Sequence, residues 1–315
     1  MCQKYAPIAI FTYNRPEHLK KTIDALKGNV LAEETDVFVF SDGSKGTRDA
    51  EEIAEVRRYA KKIRGFKSVT LVEREVNYGC KKNIIGGIEE LLGRFGRVIV
   101  VEDDIVTSKW FLKYMNDSLE KYAENERVMA ISAFLPPIDF SEFEDSFFSE
   151  VFECQGWATW KRAWDLVEFD AKKLVQSTPS KQIKRINSGG VDYWKQVMYN
   201  YKGKLNTWAI FFHVAVLLHD GLVLYNKQHL CINIGFDGSG VHCGANSNAG
   251  GTIIGDEQVV YFPDIIEINK KANDKILEYY QKEADDNTFI KRGIRVFKQE
   301  GIKGVLRKLK KGLSS

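Results

Sequence analysis

The chain has 315 residues, a formal net charge of +3, 44% hydrophobic and 28% charged residues, a balance that supports a folded core and excludes collagen-like, coiled-coil and disordered classes. Residues 291–315 carry nine Lys/Arg against the single acid Glu300, which leaves the rest of the chain at −5. The basicity belongs to a tail, so the basic face that nucleic-acid binding requires is not expected.

In chain order, the start runs almost directly into an apolar strand, Ile8–Thr12, with no leader-like segment, and no later apolar run reaches the length of a membrane-spanning helix. Five cysteines without a CxxC pair suit reduced thiols and a cytoplasmic location. A helix is predicted over Pro16–Leu26, a strand over Val37–Ser41, a charged helix over Asp49–Ile63, a strand over Val69–Glu73, a helix over Lys82–Leu92 and a strand over Val98–Val101. Strand and helix alternate with short connections, which predicts a parallel sheet covered by helices. A helix from Lys109 to Glu126 and a strand over Val128–Ser132 follow, then an acidic, Phe-rich stretch ending at Phe152. Helices are predicted around Trp160–Leu166, Tyr193–Tyr201 and Trp208–Leu218, a strand over Leu222–Tyr225, a Gly/Asn/Ser-rich loop over Cys231–Gly255, and a helix-rich end from Ile265. The fold expected is α/β, a single large Rossmann-like domain with a mixed central sheet and a basic helical tail.

Ligands of such sheets sit beyond the carboxyl ends of the strands, so the polar residues there are the candidates. The first strand ends in Thr12-Tyr13-Asn14-Arg15-Pro16, where Pro16 can start a helix and Arg15 can reach an anion near its N-terminus. The second ends in Ser41-Asp42-Gly43-Ser44, a carboxylate at a tight turn that can accept from ribose hydroxyls or a base N–H. The third leads to Asn77-Tyr78-Gly79-Cys80-Lys81-Lys82, small and amide residues with two cations for phosphate. The fourth ends in Glu102-Asp103-Asp104. Three adjoining acids repel one another, and Mg²⁺ or Mn²⁺ bound to carboxylate oxygens and bridging phosphates accounts for them economically.

In order and spacing these four strand ends resemble the nucleotide-binding half of GT-A glycosyltransferases, over roughly residues 7–245. The acidic motif followed by Trp110-Phe111 is similar to the eukaryotic β-1,2-N-acetylglucosaminyltransferases. The later Gly156-Trp157-Ala158-Thr159-Trp160 and Asn233-Ile234-Gly235…Asp237-Gly238-Ser239-Gly240…His242-Cys243 stretches look closer to bacterial family 2-like sugar transferases of surface-polysaccharide clusters. The resemblance implies a nucleotide-sugar-binding half over 1–126, an acceptor-binding half over 127–275 and a helical tail over 276–315. It implies donor binding by Thr12, Asn14, Arg15, Asp42, Asn77, Lys81, Glu102, Asp103, Gly156 and Trp157, with Asp42 on the nucleoside, Asp103 near the ribose and the Trp157 loop bordering the sugar. Asp104 and His242 are implied as metal ligands.

The implied activity is metal-dependent sugar transfer from a nucleoside diphosphate sugar, UDP-sugar favoured, to a glycan or lipid-linked glycan. Inversion requires a carboxylate to take the acceptor proton. Where such relatives place that acid this chain has Asn206, leaving Asp192 or Asp237 as the catalytic candidates. In the tail, Ile290, Ile294, Phe297, Val305, Leu309 and Leu313 fall near one helical face among Lys/Arg, a pattern suited to an anionic membrane surface and a peripheral location. Two other readings remain: a non-catalytic nucleotide-sugar or glycan binder of the same fold, which Asn206 motivates, and a nucleotidyltransferase, against which the first strand end lacks a glycine-rich loop.

Overall fold

The structure is a computed structural model and describes residues 4–236 and 254–286. In chain order its elements are β1 (Ile8–Thr12), α1 (Pro16–Lys27), β2 (Asp36–Ser41), α2 (Ala50–Ala60), β3 (Ser68–Glu73), α3 (Gly79–Phe95), β4 (Arg97–Glu102), β5 (Ile105–Thr107) and α4 (Phe111–Lys121). Then come β6 (Val128–Ser132), β7 (Ser146–Ser149), β8 (Trp157–Trp160), α5 (Lys161–Trp164), α6 (Ala171–Ser177), α7 (Ser180–Ile186), α8 (Tyr193–Tyr201), α9 (Ala209–Leu218), β9 (Leu222–Asn226), β10 (Cys231–Asn233) and α10 (Lys270–Asp286).

Among the described residues, eight strands form one mixed sheet in the order β3-β2-β1-β4-β8-β6-β9-β7. β3, β2, β1 and β4 are parallel, β8 is inserted antiparallel between β4 and β6, β9 is parallel to β6, and β7 closes the edge antiparallel to β9. The chain moves outward from β1 to β3 and returns to place β4 on the other side of β1, so the strand order reverses between β1 and β4. A crevice at the carboxyl ends of those two strands is the expected ligand position.

The alternation of side chains along each strand separates two apolar layers. Ile8, Ile10, Val37, Val39, Ile99 and Val101 pack with Leu19 and Ile23 of α1, Val56 of α2 and Met115 of α4. Ala9, Phe11, Phe38, Phe40, Val98 and Val100 pack on the other side with Ile84, Ile88 and Leu91 of α3 and Phe212 and Val216 of α9. Burial on both faces is why β1, β2 and β4 read as nearly continuous apolar runs. Pro16 supplies the first turn of α1, where its missing N–H costs no helical bond.

The first half follows the expected alternation, whereas several later elements differ from it. The helix expected from Lys109 starts at Phe111, and ahead of it the β-branched run Ile105–Thr107 forms β5 by pairing antiparallel with Cys231–Asn233. Trp160, expected to open a helix, is the last residue of β8. The Phe-rich stretch contains β7, whose Phe147 and Phe148 enter opposite apolar layers. The helices α6 and α7 were not expected. Among the described residues no helix is long and apolar enough to cross a membrane. The tail-face residues Ile290 to Leu313 lie outside the described residues.

α3 lies close to the sheet because residue 87 has no side chain: a Cβ there would stand 2.6 and 2.8 Å from ring carbons of Phe11 and 3.2 Å from Phe40. Phe11 and Phe40 are stacked at 5.1 Å and cannot both retreat. One residue earlier, a Cβ on Gly86 meets nothing within 4 Å. Gly87→Ala should therefore destabilise by about 1–3 kcal/mol through overpacking, and Gly86→Ala should stabilise by up to about 1 kcal/mol through helix propensity. Urea unfolding of the two variants checks for these opposite signs.

Candidate functional site

The site is built where β1 and β4 end side by side. The Asp103 N–H donates to the Phe11 carbonyl at 3.0 Å, continuing the strand ladder one residue past β4. One Asp103 carboxylate oxygen accepts from Thr12 Oγ1 at 2.9 Å and the Tyr13 N–H at 3.4 Å, and the other accepts from Arg15. The same guanidinium contacts Asp104 at 2.9 Å. From α1, Thr22 Oγ1 donates to the Asp103 carbonyl at 2.7 Å. Asp104 is fixed from the far side of the chain, since the Ile234 N–H donates to its carbonyl at 2.9 Å. Gly235 lies so close to the Asp104 carboxylate and Arg15 that a Cβ would collide with both.

Burial and mutual repulsion set the electrostatics. The Glu102 carboxyl is pushed up to about 8 by burial and then by the charges of Asp104 and Asp103, against the pull of Arg15. Burial likewise raises Asp103 to about 6; Arg15 opposes the rise and Asp104 adds to it. Burial disfavours the charge on Arg15, but Asp103 and Asp104 together hold its pKa above the ordinary value. Burial raises the Cys80 thiol too, helped by Glu102, Asp42, Asp103 and Asp104, so the acids of two strand ends act on one point at the start of α3.

A second cluster joins the ends of β2 and β3. The buried Asp42 carboxylate accepts from the N–H groups of Gly43 and Tyr78, each at 2.8 Å, from Gly79 N–H at 2.9 Å and from Asn77 Nδ2 at 3.2 Å. Four donors fill the roughly four lone-pair sites of a carboxylate. Asn77 also donates to the Gly43 carbonyl at 2.7 Å. Gly43 permits this closeness, because a Cβ would come within 2.7 Å of the Asn77 nitrogen. Arg57 of α2 clamps the same ends, donating to Ser41 Oγ at 3.1 Å and to the Arg74 carbonyl at 2.8 Å.

Against the sequence expectations, the structure brings Thr12, Arg15, Asp103 and Asp104 into direct contact, and Asp42 and Asn77 likewise. Glu102 stands beside them on the α3 face of the sheet. Asn14 turns away and donates to Glu52 on α2 at 2.8 Å. Lys81 lies over the Phe211 ring at 4.1 Å. Trp157, expected to face a sugar, is fully buried and packs on Phe152, Trp208 and Phe212 at 5.0 to 5.3 Å. The β8 ladder aims its ring into the core, which corrects that expectation. Gly156 has φ +62°, and a Cβ there would lie 2.7 Å from Cys231 Sγ, so its lack of a side chain serves the backbone and packing. Asp192 caps α8, accepting from Lys195 N–H at 3.1 Å and Asn187 Nδ2 at 2.9 Å. Asp237 and His242 lie outside the described residues. Arg57, Thr22 and Gly235 were missed; for Gly235 the Asn-Ile-Gly run was the available signal, and no local pattern marks the other two.

Among the described residues no three His, Cys, Asp or Glu side chains are grouped as a metal site. The strand geometry gives the reason: Glu102 and Asp103 project to opposite faces. The donor chemistry nevertheless fits a hard divalent cation in part. Asp103 and Asp104 share one guanidinium, the Glu102 carboxyl beside them is pushed up to about 8, and Asp104 offers hard oxygen that phosphate oxygens could supplement.

Residues 8–133 match the family model for glycosyl transferase family 2. The match takes in every strand end described above. No curated protein sequence matches the chain. Among solved structures, a mannosyltransferase from Pyrobaculum calidifontis, PcManGT in complex with GDP-Man and Mn²⁺, is 14% identical over 69% of this chain and 71% of that one, with a TM-score of 0.39. TarS of S. aureus, residues 1–349, is 12% identical over 71% of this chain and 59% of its own, with a TM-score of 0.41. A further TarS structure is 14% identical over 50% of this chain and 29% of its own, with a TM-score of 0.35.

Glu102 has a folded pKa of about 8 against an ordinary 4.5, so the folded state holds a proton that the unfolded chain releases. Its contribution to stability is complete below about pH 4.5 and is lost as pH rises through 8, on the order of 1 kcal/mol per pH unit. Metal-free protein should therefore lose stability across this range, and Glu102→Gln should flatten the loss, as followed by urea unfolding at stepped pH.

Proposed function

We propose that this chain, whose residues 8–133 carry a glycosyl transferase family 2 domain, moves a sugar from a nucleoside diphosphate donor to a hydroxyl of a glycan or lipid-linked glycan. The observation that carries the reading is Arg15 held between Asp103 and Asp104 at the point where the strand order reverses. That arrangement places a fixed cation and a cluster of hard oxygens where the phosphates of a nucleotide are expected on such a sheet.

In the proposed reaction the acceptor oxygen attacks the anomeric carbon, the bond from that carbon to the diphosphate oxygen breaks with its electron pair, and the acceptor proton passes to a carboxylate. A divalent cation, Mn²⁺ or Mg²⁺, when bound beside Asp104, supplies neutralisation of the departing diphosphate. Arg15 orients that diphosphate and stabilises its growing charge, and the Asp42 network shapes the loops around the nucleoside. Asn206 has no basic site for the proton, and Asp192 is committed to capping α8. The role falls to Asp237, which follows Gly235 by two residues in sequence. His242 is proposed to support the diphosphate or the cation, and the basic residues of 291–315 to draw the chain to an anionic surface.

Asp104→Asn keeps the shape of the side chain and removes its charge. With UDP, GDP and their sugars as a panel, the parent should show Mn²⁺-dependent thermal stabilisation by one nucleotide and Mn²⁺-dependent donor hydrolysis, and Asp104→Asn should weaken nucleotide binding about tenfold or more, a loss of about 1.4 kcal/mol. Equal binding by the two proteins would sink the reading. Metal-dependent binding without any turnover would instead identify a non-catalytic nucleotide-sugar binder.

A further inference from the structure

A cleft of about 430 Å³ runs along the outer face of α3, and Arg74, Tyr78, Lys81 and Lys82 line it near the strand ends. Among the described residues none of its three cations has a carboxylate within 4 Å. Their partners are neutral: Arg74 Nε donates to Asn83 Oδ1 at 3.1 Å and Lys81 Nζ to the Phe169 carbonyl at 3.5 Å, while Lys81 Nζ is 4.1 Å from the Phe211 ring centroid, Lys82 Nζ is 4.3 Å from that of Tyr78, and the Arg74 guanidinium is 5.3 Å from Tyr78. Asp170 acts on Lys81 only at longer range, and burial lowers the Lys81 pKa. An under-solvated ammonium gains more from an anion than a hydrated one does. The one acid lining the cleft, Glu89, belongs to its far end.

We infer that this cleft is a subsite for a phosphate or diphosphate group carried by the acceptor, held by Arg74, Lys81 and Lys82. The inference rests on the sugar-transfer reading of the strand ends and names the substrate class that meets them. Two ammonium groups and a planar guanidinium match the several oxygens of phosphate. The cleft extends from Tyr78, at the strand ends beside Asp103 and Asp104, to Glu89, eleven residues or about 16 Å of helix. A donor diphosphate anchored at those acids has no need of such a length, whereas an acceptor does. Its inner end opens at the strand ends, because Asp42 pins the N–H groups of Tyr78 and Gly79 there. Asn206, from the segment ahead of α9, borders it from the second half of the chain.

The probe is inorganic pyrophosphate without added metal, compared with UDP and GDP in the presence of Mn²⁺, by calorimetric titration of the full chain. Lys82 is exposed, so Lys82→Gln should fold normally; it should weaken pyrophosphate about tenfold and leave the nucleoside diphosphates unchanged. Lys82→Arg should restore binding to within about threefold. Gly86→Leu, which grows into open space, should also weaken pyrophosphate, whereas Asp104→Asn should not. Failure of the parent to bind pyrophosphate, or an equal loss in Asp104→Asn, overturns the subsite. An equal loss of nucleoside diphosphate in Lys82→Gln assigns the cations to the donor and overturns it as well. If the parent binds pyrophosphate through Lys82 but no nucleoside diphosphate, the donor reading of the strand ends fails, and the cleft's assignment to an acceptor falls with it.

Discussion

The guanidinium of Arg15 between Asp103 and Asp104 is the interaction on which the rest of the site depends. β4 delivers three acids to a nearly dry position, and without a cation their repulsion would cost more than the strand end could offset. Arg15 reaches them because β1 lies beside β4 and Pro16 turns the chain into α1 directly after it. The charge is incompletely balanced, and the protein meets the remainder by keeping a proton on Glu102. That unfinished neutralisation leaves Glu102 and Asp103 titrating above the ordinary carboxylate range.

Around this centre the strand ends are fastened chiefly by polar groups. Asp42 and Asn77 bind the loop after β2 to the loop after β3, Gly43 lets the two backbones touch, and Arg57 closes the rim from α2. These contacts replace water that the strand termini would otherwise recruit. The apolar layers beneath them set the positions of the helices, with Gly87 allowing α3 to rest on Phe11 and Phe40. The start of α3 is thereby held against the acids, and its outer face is left open as the cleft.

The mixed α/β architecture was legible because parallel strands buried on both faces announce themselves as apolar runs and polar clusters follow each one. The acids after β4 and the Asp-Gly turn after β2 were visible for the same reason. What escaped notice depends on contacts between distant segments. β5 and β10 are short and pair across more than a hundred residues. The Trp157–Trp160 segment looks locally like a ligand loop because its aromatic rings could stack on anything, and only its place between β4 and β6 commits Trp157 to the core. Arg57 sits in a helix rich in charge, where nothing in the local pattern separates a clamp from a solvated side chain. The cleft's cations come from the β3–α3 turn and from α3, and the ring that supports Lys81 belongs to α9.

Under the proposed function, the saturation of Asp42 sets how a nucleoside would be selected at these strand ends. A carboxylate whose lone pairs are all engaged by Gly43, Tyr78, Gly79 and Asn77 has none spare for a base or a ribose. Any discrimination among bases then passes to the main-chain amides and carbonyls of the two loops it joins. In that reading, exchanging residues within the loop that follows Ser44 would retune the preference, whereas altering Asp42 would loosen the frame that both loops share.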